Sequence, residues 1–264
     1  TASPSGLRRS SPKQARRRGW RRDVGDTLSG TPKAVLFDFS GTLFRFTDQP
    51  EWFADLHDEN GQPLHLDHQM ELIRRMTQPV GLPAAVEDDD RISWERRDLD
   101  PAEHRRAYLA ILRASGLSVP GQAESLYERV LDPASWEPFD DTATVLRGLQ
   151  AAGVPVGIVS NIAFDVRKVL ERVGLRDLVD AYALSYEVGA IKPNPRIFEA
   201  ALDELGVAGY DALMIGDSSE ADGGATRIGS AFELVHDVPP QQRPTALVDA
   251  VERRWSEPDN GIWE

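Results

Sequence analysis

Four short stretches of this chain end an apolar run on a group that could do chemistry. Val35-Leu36-Phe37-Asp38-Phe39-Ser40-Gly41-Thr42-Leu43-Phe44 reads as a buried strand that delivers the Asp38 carboxylate to a Gly41-Thr42 turn. Gly41 lets the backbone turn sharply beside whatever Asp38 touches. Ser160-Asn161 follows the apolar run Val154 to Val159 and can donate hydrogen bonds to an oxyanion, although a serine there equally suits a helix cap. Lys192 sits in Gly189-Ala190-Ile191-Lys192-Pro193-Asn194-Pro195, where a lone lysine would ordinarily be a solvated loop residue. In the run from Gly216 to Ala225, Asp217 and Asp222 stand five apart after an apolar strand and bracket a turn that can hold a hard cation. The stretch at Asp38 alone also reads as an ordinary exit from a strand.

The elements that carry them make the case. Lys33 to Asp38 reads as the first strand, and from Asp141 onward strand and helix alternate without interruption. Strands are expected at Val154 to Ser160, Ala181 to Ser185, Ala212 to Gly216 and Ala231 to Val235. Helices lie between them, one opened by Pro195, and a last one carries Leu247, Val251 and Trp255. Such alternation implies an α/β fold with a parallel, Rossmann-like sheet and right-handed crossovers. The four stretches then fall on the carboxyl edge of one sheet, where open α/β sheets bind ligands.

Residues 45–139 break the alternation. Apolar positions recur at helical spacing in three segments (Leu64 to Met76, Tyr108 to Leu112, Leu126 to Leu131), and nothing there reads as a strand. Pro101 suits the first turn of the middle helix with Asp100 as its cap, and Ser115-Gly116 ends it. Glu87 to Asp90 reads as a solvated acidic loop. The expected organisation is a basic tail over 1–30, a core built from 31–44 and 140–264, and an all-helical insertion over 45–139.

With Asp38, Ser160, Lys192 and the pair Asp217 and Asp222 in that order, residues 33–235 resemble the haloacid dehalogenase superfamily and include all four of its signatures. The resemblance implies that Asp38 is a nucleophile. Ser160 and Lys192 would bind the transferring group, with Gly41, Thr42 and Asn161 beside them. Mg²⁺ would be held by Asp38, Asp217 and the backbone carbonyl of Ser40, with Asp222 partly behind them. The insertion resembles that family's helical cap, and the implied partner is a small phosphorylated molecule. A carboxylate can attack a phosphoryl group only if its charge is neutralised, which a divalent cation and a lysine do together.

Ser40 departs from the pattern. The family's phosphatases carry a second aspartate there as general acid and base, and a hydroxyl cannot replace it, a loss worth roughly 10² to 10⁴-fold. Three readings stay open: a slow phosphatase of substrates with good leaving groups, a longer-lived aspartyl phosphate of the kind P-type ATPases hold, or a proton supplied by another residue, such as one from the cap. Phosphonatases use a cap lysine, and residues 45–139 contain none. A 2-haloacid dehalogenase is the alternative activity, although such enzymes replace the first acid of the last motif and Asp217 is intact. A phosphate-binding scaffold without turnover is the alternative of another class.

Composition narrows the partners. The net charge of −13 hides an asymmetry: residues 1–22 hold eight basic residues and no acidic one, so the remainder sets 22 basic residues against 43 acidic ones, a net −21. A body so acidic repels nucleic acid, and the tail, lacking apolar periodicity, is expected to be disordered. No apolar run approaches the roughly 20 residues of a membrane span, and the start lacks the order of a secretory signal. With no cysteine there is no disulfide or thiol chemistry, and a cytoplasmic monomer or homodimer is expected. His65 and His68 share a helix face but do not suggest zinc. Phe44, Phe46, Trp52 and Phe53 should pack at the junction of core and insertion. Arg45, Arg74, Arg75 and Arg91 are candidate anchors for an anionic substrate tail.

Overall fold

The computed structural model describes residues 31–47, 50–77 and 87–255; the basic tail expected over 1–30 lies outside them. The strands are β1 (Ala34–Phe37), β2 (Phe44–Phe46), β3 (Trp136–Pro138), β4 (Val156–Ser160), β5 (Ala181–Leu184), β6 (Ala212–Gly216) and β7 (Ala231–Leu234). The insertion carries helices α1 (Leu66–Thr77), α2 (Asp88–Arg96), α3 (Pro101–Ala114) and α4 (Gln122–Leu131). Helices α5 (Thr142–Ala151), α6 (Arg167–Arg172), α7 (Ser185–Val188), α8 (Pro195–Leu205) and α9 (Ala246–Trp255) belong to the alternating part. No helix among the described residues is long and apolar enough to cross a membrane.

Five strands form a parallel sheet in the order β5-β4-β1-β6-β7. Every residue of β1, β4 and β6 is buried, as a sheet covered on both faces requires. Side chains alternate between the faces. Val35 and Phe37 join a cluster with Val145, Leu149, Leu247 and Val251 of α5 and α9. Leu36 points the other way, to a cluster with Ile197, Phe198 and Ala201 of α8. From β1 the chain builds outward through β4 and β5, then returns to place β6 on the other side of β1. The direction of winding therefore reverses at β1, and the crevice of such a sheet opens at that point, beyond the carboxyl ends of the strands.

The helical insertion has its own apolar cluster, with Trp52, Phe53, Leu72, Leu112, Leu126 and Val130 among its members. Helix α3 starts as its sequence predicts: Pro101 occupies the first turn and the Asp100 carboxylate accepts hydrogen bonds from the Ala102 and Glu103 amides at 2.7 and 3.3 Å. The aromatic residues pack at the junction as expected, with Phe46 edge-on to Trp52 at 4.9 Å and to Trp136 at 5.4 Å.

Three expectations need correction. The insertion is not wholly helical at its base, because β2 and β3 pair antiparallel with Phe44, Arg45 and Phe46 opposite Pro138, Glu137 and Trp136. Three-residue strands are too short to show an alternating pattern, and the ribbon exists because the two ends of the insertion leave the core side by side. The acidic run is not a loop: Asp88, Asp89 and Asp90 form the first turn of α2, where carboxylates meet the positive end of the helix dipole. The helix expected between Asp217 and β7 is a 3₁₀ run, Asp222–Ile228.

His104 of α3 is 5% exposed, its Nδ1 lies 2.7 Å from the Tyr127 hydroxyl, and its ring stacks on Tyr108 at 4.4 Å. Burial, helped by the nearby Arg97 charge, pushes its pKa from the ordinary 6.5 down to about 4. An unfolded chain therefore takes up a proton between these values and the native protein does not. The stability contributed by neutral His104 is full above pH 6.5 and is lost as the pH falls towards 4. We expect the stability advantage of the protein over its His104→Gln variant to shrink by up to about 3 kcal/mol across that window, measured by urea unfolding at each pH.

Candidate active site

Asp38 is the first residue beyond β1, held by its amide donating to the Ile215 carbonyl of β6 at 3.0 Å. Asp217 is the first residue beyond β6, and Ser160 ends β4. Lys192 reaches the same place from the loop between α7 and α8. Its Nζ donates to Asp38 Oδ1 and to Asp222 Oδ1, both at 2.6 Å. Asp38 and Lys192 are each 5% exposed and Asp222 is fully buried. Carboxylate oxygens of Asp38, Asp217 and Asp222 lie within 4.8 Å of one another.

Local geometry explains why the sequence can build this. The Asn161 side chain clamps the Lys192 backbone from both sides, its Oδ1 accepting from the Lys192 amide at 2.6 Å and its Nδ2 donating to the Lys192 carbonyl at 3.2 Å. Both amide atoms are thus engaged by the Lys192 backbone. Asp222 Oδ2 accepts from the Ser218 amide at 2.9 Å. Gly41 has a φ of +78°, and a Cβ there would overlap the Asp217 carboxylate; a Cβ on Gly216 would overlap that of Asp222. The Thr42 hydroxyl lies 3.5 Å from Asp38 Oδ2, at the outer limit of hydrogen bonding.

The electrostatics follow from burying three carboxylates around one ammonium. Burial raises Asp38 to about 7, with Asp222 and Asp217 adding to the effect and Lys192 opposing it. Asp217 is raised to about 6, again first by burial and then by Asp222. For Lys192 burial works against the charge, but Asp38 and Asp222 outweigh it and its pKa lies above the ordinary lysine range. The donor set suits a hard cation, since every group is an anionic or carbonyl oxygen. The Ser40–Phe44 bridge is closed by the Gly41 amide and the Phe39 carbonyl, which leaves the Ser40 carbonyl with no backbone partner among the described residues. The Ser40 residue itself is exposed.

A family model described as haloacid dehalogenase-like hydrolase matches residues 32–227. The chain belongs to that family. It is similar to haloacid dehalogenase-like hydrolase domain-containing protein 3 of Bos taurus, 35% identical over 130 residues that cover 49% of this chain and 51% of that protein. The chain thus spans about half the length of that relative. It is also similar to a ribulose-1,5-bisphosphate 5-phosphatase of Halopiger xanaduensis, 31% identical over 206 residues, 74% of this chain and 81% of that one. In the solved structure of L-2-haloacid dehalogenase from Xanthobacter autotrophicus the same fold covers 83% of each chain with a TM-score of 0.57 at 22% identity.

The candidate anchor arginines have acidic partners of their own: Arg45 pairs with Glu137, Arg74 and Arg75 with Glu71, and Arg91 with Asp88. His68 lies with Nε2 2.6 Å from the Ser115 carbonyl at the end of α3, while His65 is exposed beside Asp67. Arg243 carries no signal in the sequence, since it stands in the proline-bounded stretch Pro239 to Pro244. It is 4% exposed, donates to the Gly41, Thr42 and His236 carbonyls at 2.6, 2.8 and 3.3 Å, and lies over the Phe139 ring at 3.7 Å. A guanidinium with several carbonyls to satisfy fixes a turn as a lysine cannot, and this one holds the turn that follows Asp38.

Gly216→Ala tests how tightly the site is packed, because the added methyl can fit only if Asp222 moves away from Lys192. We expect the variant to remain folded, destabilised by about 1–3 kcal/mol, and to lose at least about a hundredfold in hydrolytic rate, the scale of a 1 Å misplacement. Thermal melts and steady-state kinetics on the same preparation check both.

Proposed function

We propose that this hydrolase is a Mg²⁺-dependent phosphatase of a small phosphorylated metabolite that works through an aspartyl phosphate on Asp38. The observation that carries the reading is the buried Asp38 carboxylate held 2.6 Å from the Lys192 ammonium, with Asp217 and Asp222 beside it. The 31% identity to a sugar bisphosphate phosphatase supports the same class of substrate. Asp38 attacks phosphorus in line with the leaving oxygen, and Lys192 offsets the negative charge of the transferring group. Ser160 and Thr42 place hydroxyl donors at the same strand ends, and Asn161 acts by holding Lys192. Asp38, Asp217 and the Ser40 carbonyl would hold Mg²⁺, supported by Asp222, and the ion would neutralise the attacking carboxylate and the phosphoryl oxygens. Water then attacks the phosphoenzyme and returns Asp38.

A 2-haloacid could in principle meet the same nucleophile. The acidic pair Asp217 and Asp222, which adds charge beside Asp38, favours the cation-dependent reaction instead.

A panel of phosphorylated metabolites assayed with and without Mg²⁺ tests the reading. We expect phosphate release that stops in excess chelator and returns with Mg²⁺. Asp38→Asn, isosteric but uncharged, should keep less than about a tenth of the activity. Full activity in chelator, with halide released from a 2-haloacid, would replace the phosphatase by a dehalogenase. Mg²⁺ and phosphate binding without any turnover would make the chain a scaffold.

A further inference from the structure

Resting on the phosphatase reading, one chemical need remains unmet at the strand ends. An alkoxide leaving group must be protonated and the water that frees the phosphoenzyme must lose a proton, yet Ser40 carries only a hydroxyl. Asp38, Asp217 and Asp222 are committed to the nucleophile and the cation site. Asp237 lies close to Gly41 and feels Arg243 and Asp217, the latter one of the residues that would hold the cation.

The turn between α2 and α3 brings in a different carboxyl. The Asp98 carbonyl accepts a hydrogen bond from the buried Ser185 hydroxyl, at the exit of β5. That hydroxyl also accepts from the Ile162 amide at 2.9 Å, two residues beyond Ser160. The turn is thereby tied to the strand ends on the side where Ser160, Asn161 and Lys192 stand. The Asp98 side chain is 21% exposed and has an ion partner in Arg97 at 3.4 Å. Among the described residues it accepts no hydrogen bond, so a proton and a lone pair are free for a substrate. Its carboxylate feels the Lys192 charge, which places it within electrostatic reach of the group that holds Asp38.

We propose that Asp98 is the general acid and base of this enzyme, a catalytic carboxyl contributed by the helical insertion in place of the one missing at residue 40. As an Asp38 oxygen bonds to phosphorus and the bond to the leaving oxygen breaks, the Asp98 carboxyl gives its proton to that oxygen and an alcohol departs. In the second step the Asp98 carboxylate takes a proton from water as the water oxygen bonds to phosphorus and the bond to Asp38 breaks. Phosphate leaves, and Asp98 is protonated again. The groups around it are Arg97 on its own turn, Tyr108 on α3 and Lys192 from the core. Burial outweighs the two cations and raises the carboxyl above its ordinary range, in the direction a proton donor needs.

The test separates substrates by their need for a proton. Glycerol phosphate leaves as an alkoxide, whereas acetyl phosphate leaves as a carboxylate that needs none. We expect Asp98→Asn to lower turnover of glycerol phosphate by at least about a hundredfold, while labelling of Asp38 by acetyl phosphate, read by acid quench, slows by less than about threefold. The phosphoenzyme should also accumulate. Adding Ser40→Asp to Asp98→Asn should restore at least about tenfold of the lost rate, which a merely structural role of Asp98 would not allow. Unchanged turnover of glycerol phosphate in Asp98→Asn overturns the proposal, as does loss of acetyl phosphate labelling in parallel with turnover. Absence of both phosphate release and labelling in the unaltered protein would overturn the phosphatase reading itself, a result distinct from both.

Discussion

A single buried ammonium holds this site together. Lys192 lies between Asp38 and Asp222 with both contacts at 2.6 Å, and Asp217 adds a third carboxylate within 4.8 Å. Burying such charges is costly, and a network of this kind persists only if each member keeps its partners; removing one partner of a buried pair typically costs about 3–5 kcal/mol. Burial pushes Asp38 and Asp217 towards protonation, and the neighbouring carboxylates, three against one ammonium, add to it. The imbalance itself is a functional statement. A pocket that crowds anionic oxygens around one lysine has the donor set that a hard cation takes.

The surrounding structure serves to keep these four side chains in register. The parallel ladders bring Asp38 and Asp217 out side by side, since Phe37 is opposite Ile215. Asn161 grips the backbone that carries Lys192. Gly41 and Gly216 leave the space that the carboxylates occupy. Arg243 closes the turn after Asp38 from the far end of the chain. Each support comes from a different segment, so the site exists only when the whole sheet is assembled.

The helical insertion completes the crevice in a different way. It has an apolar core of its own and meets the sheet through an aromatic junction around Phe46 and Trp136 and through the turn that ends α2. That turn ties the Asp98 backbone to the exit of β5, so a segment with hydrophobic contacts of its own reaches the carboxyl edge of the sheet.

Much of this was legible in the chain itself. Strands that are apolar throughout and helices opened by Pro101 and Pro195 determine the parallel sheet, and polar residues beyond the apolar runs mark Asp38, Ser160, Lys192, Asp217 and Asp222 as candidates, because such signals are local and survive in one dimension. The three-residue strands β2 and β3 and the buried Arg243 were not legible, since each is stabilised by a partner distant in sequence: a facing strand, or the carbonyls of Gly41 and Thr42. Asn161 could be read as a ligand for phosphate, and only the folded chain shows its amide oxygen and nitrogen both meeting the Lys192 backbone. Sequence alone thus settled which residues carry the charge. Tertiary structure decided which of them meet, because a 2.6 Å contact between residues 38 and 192 depends on strand register and loop closure, which no local pattern encodes.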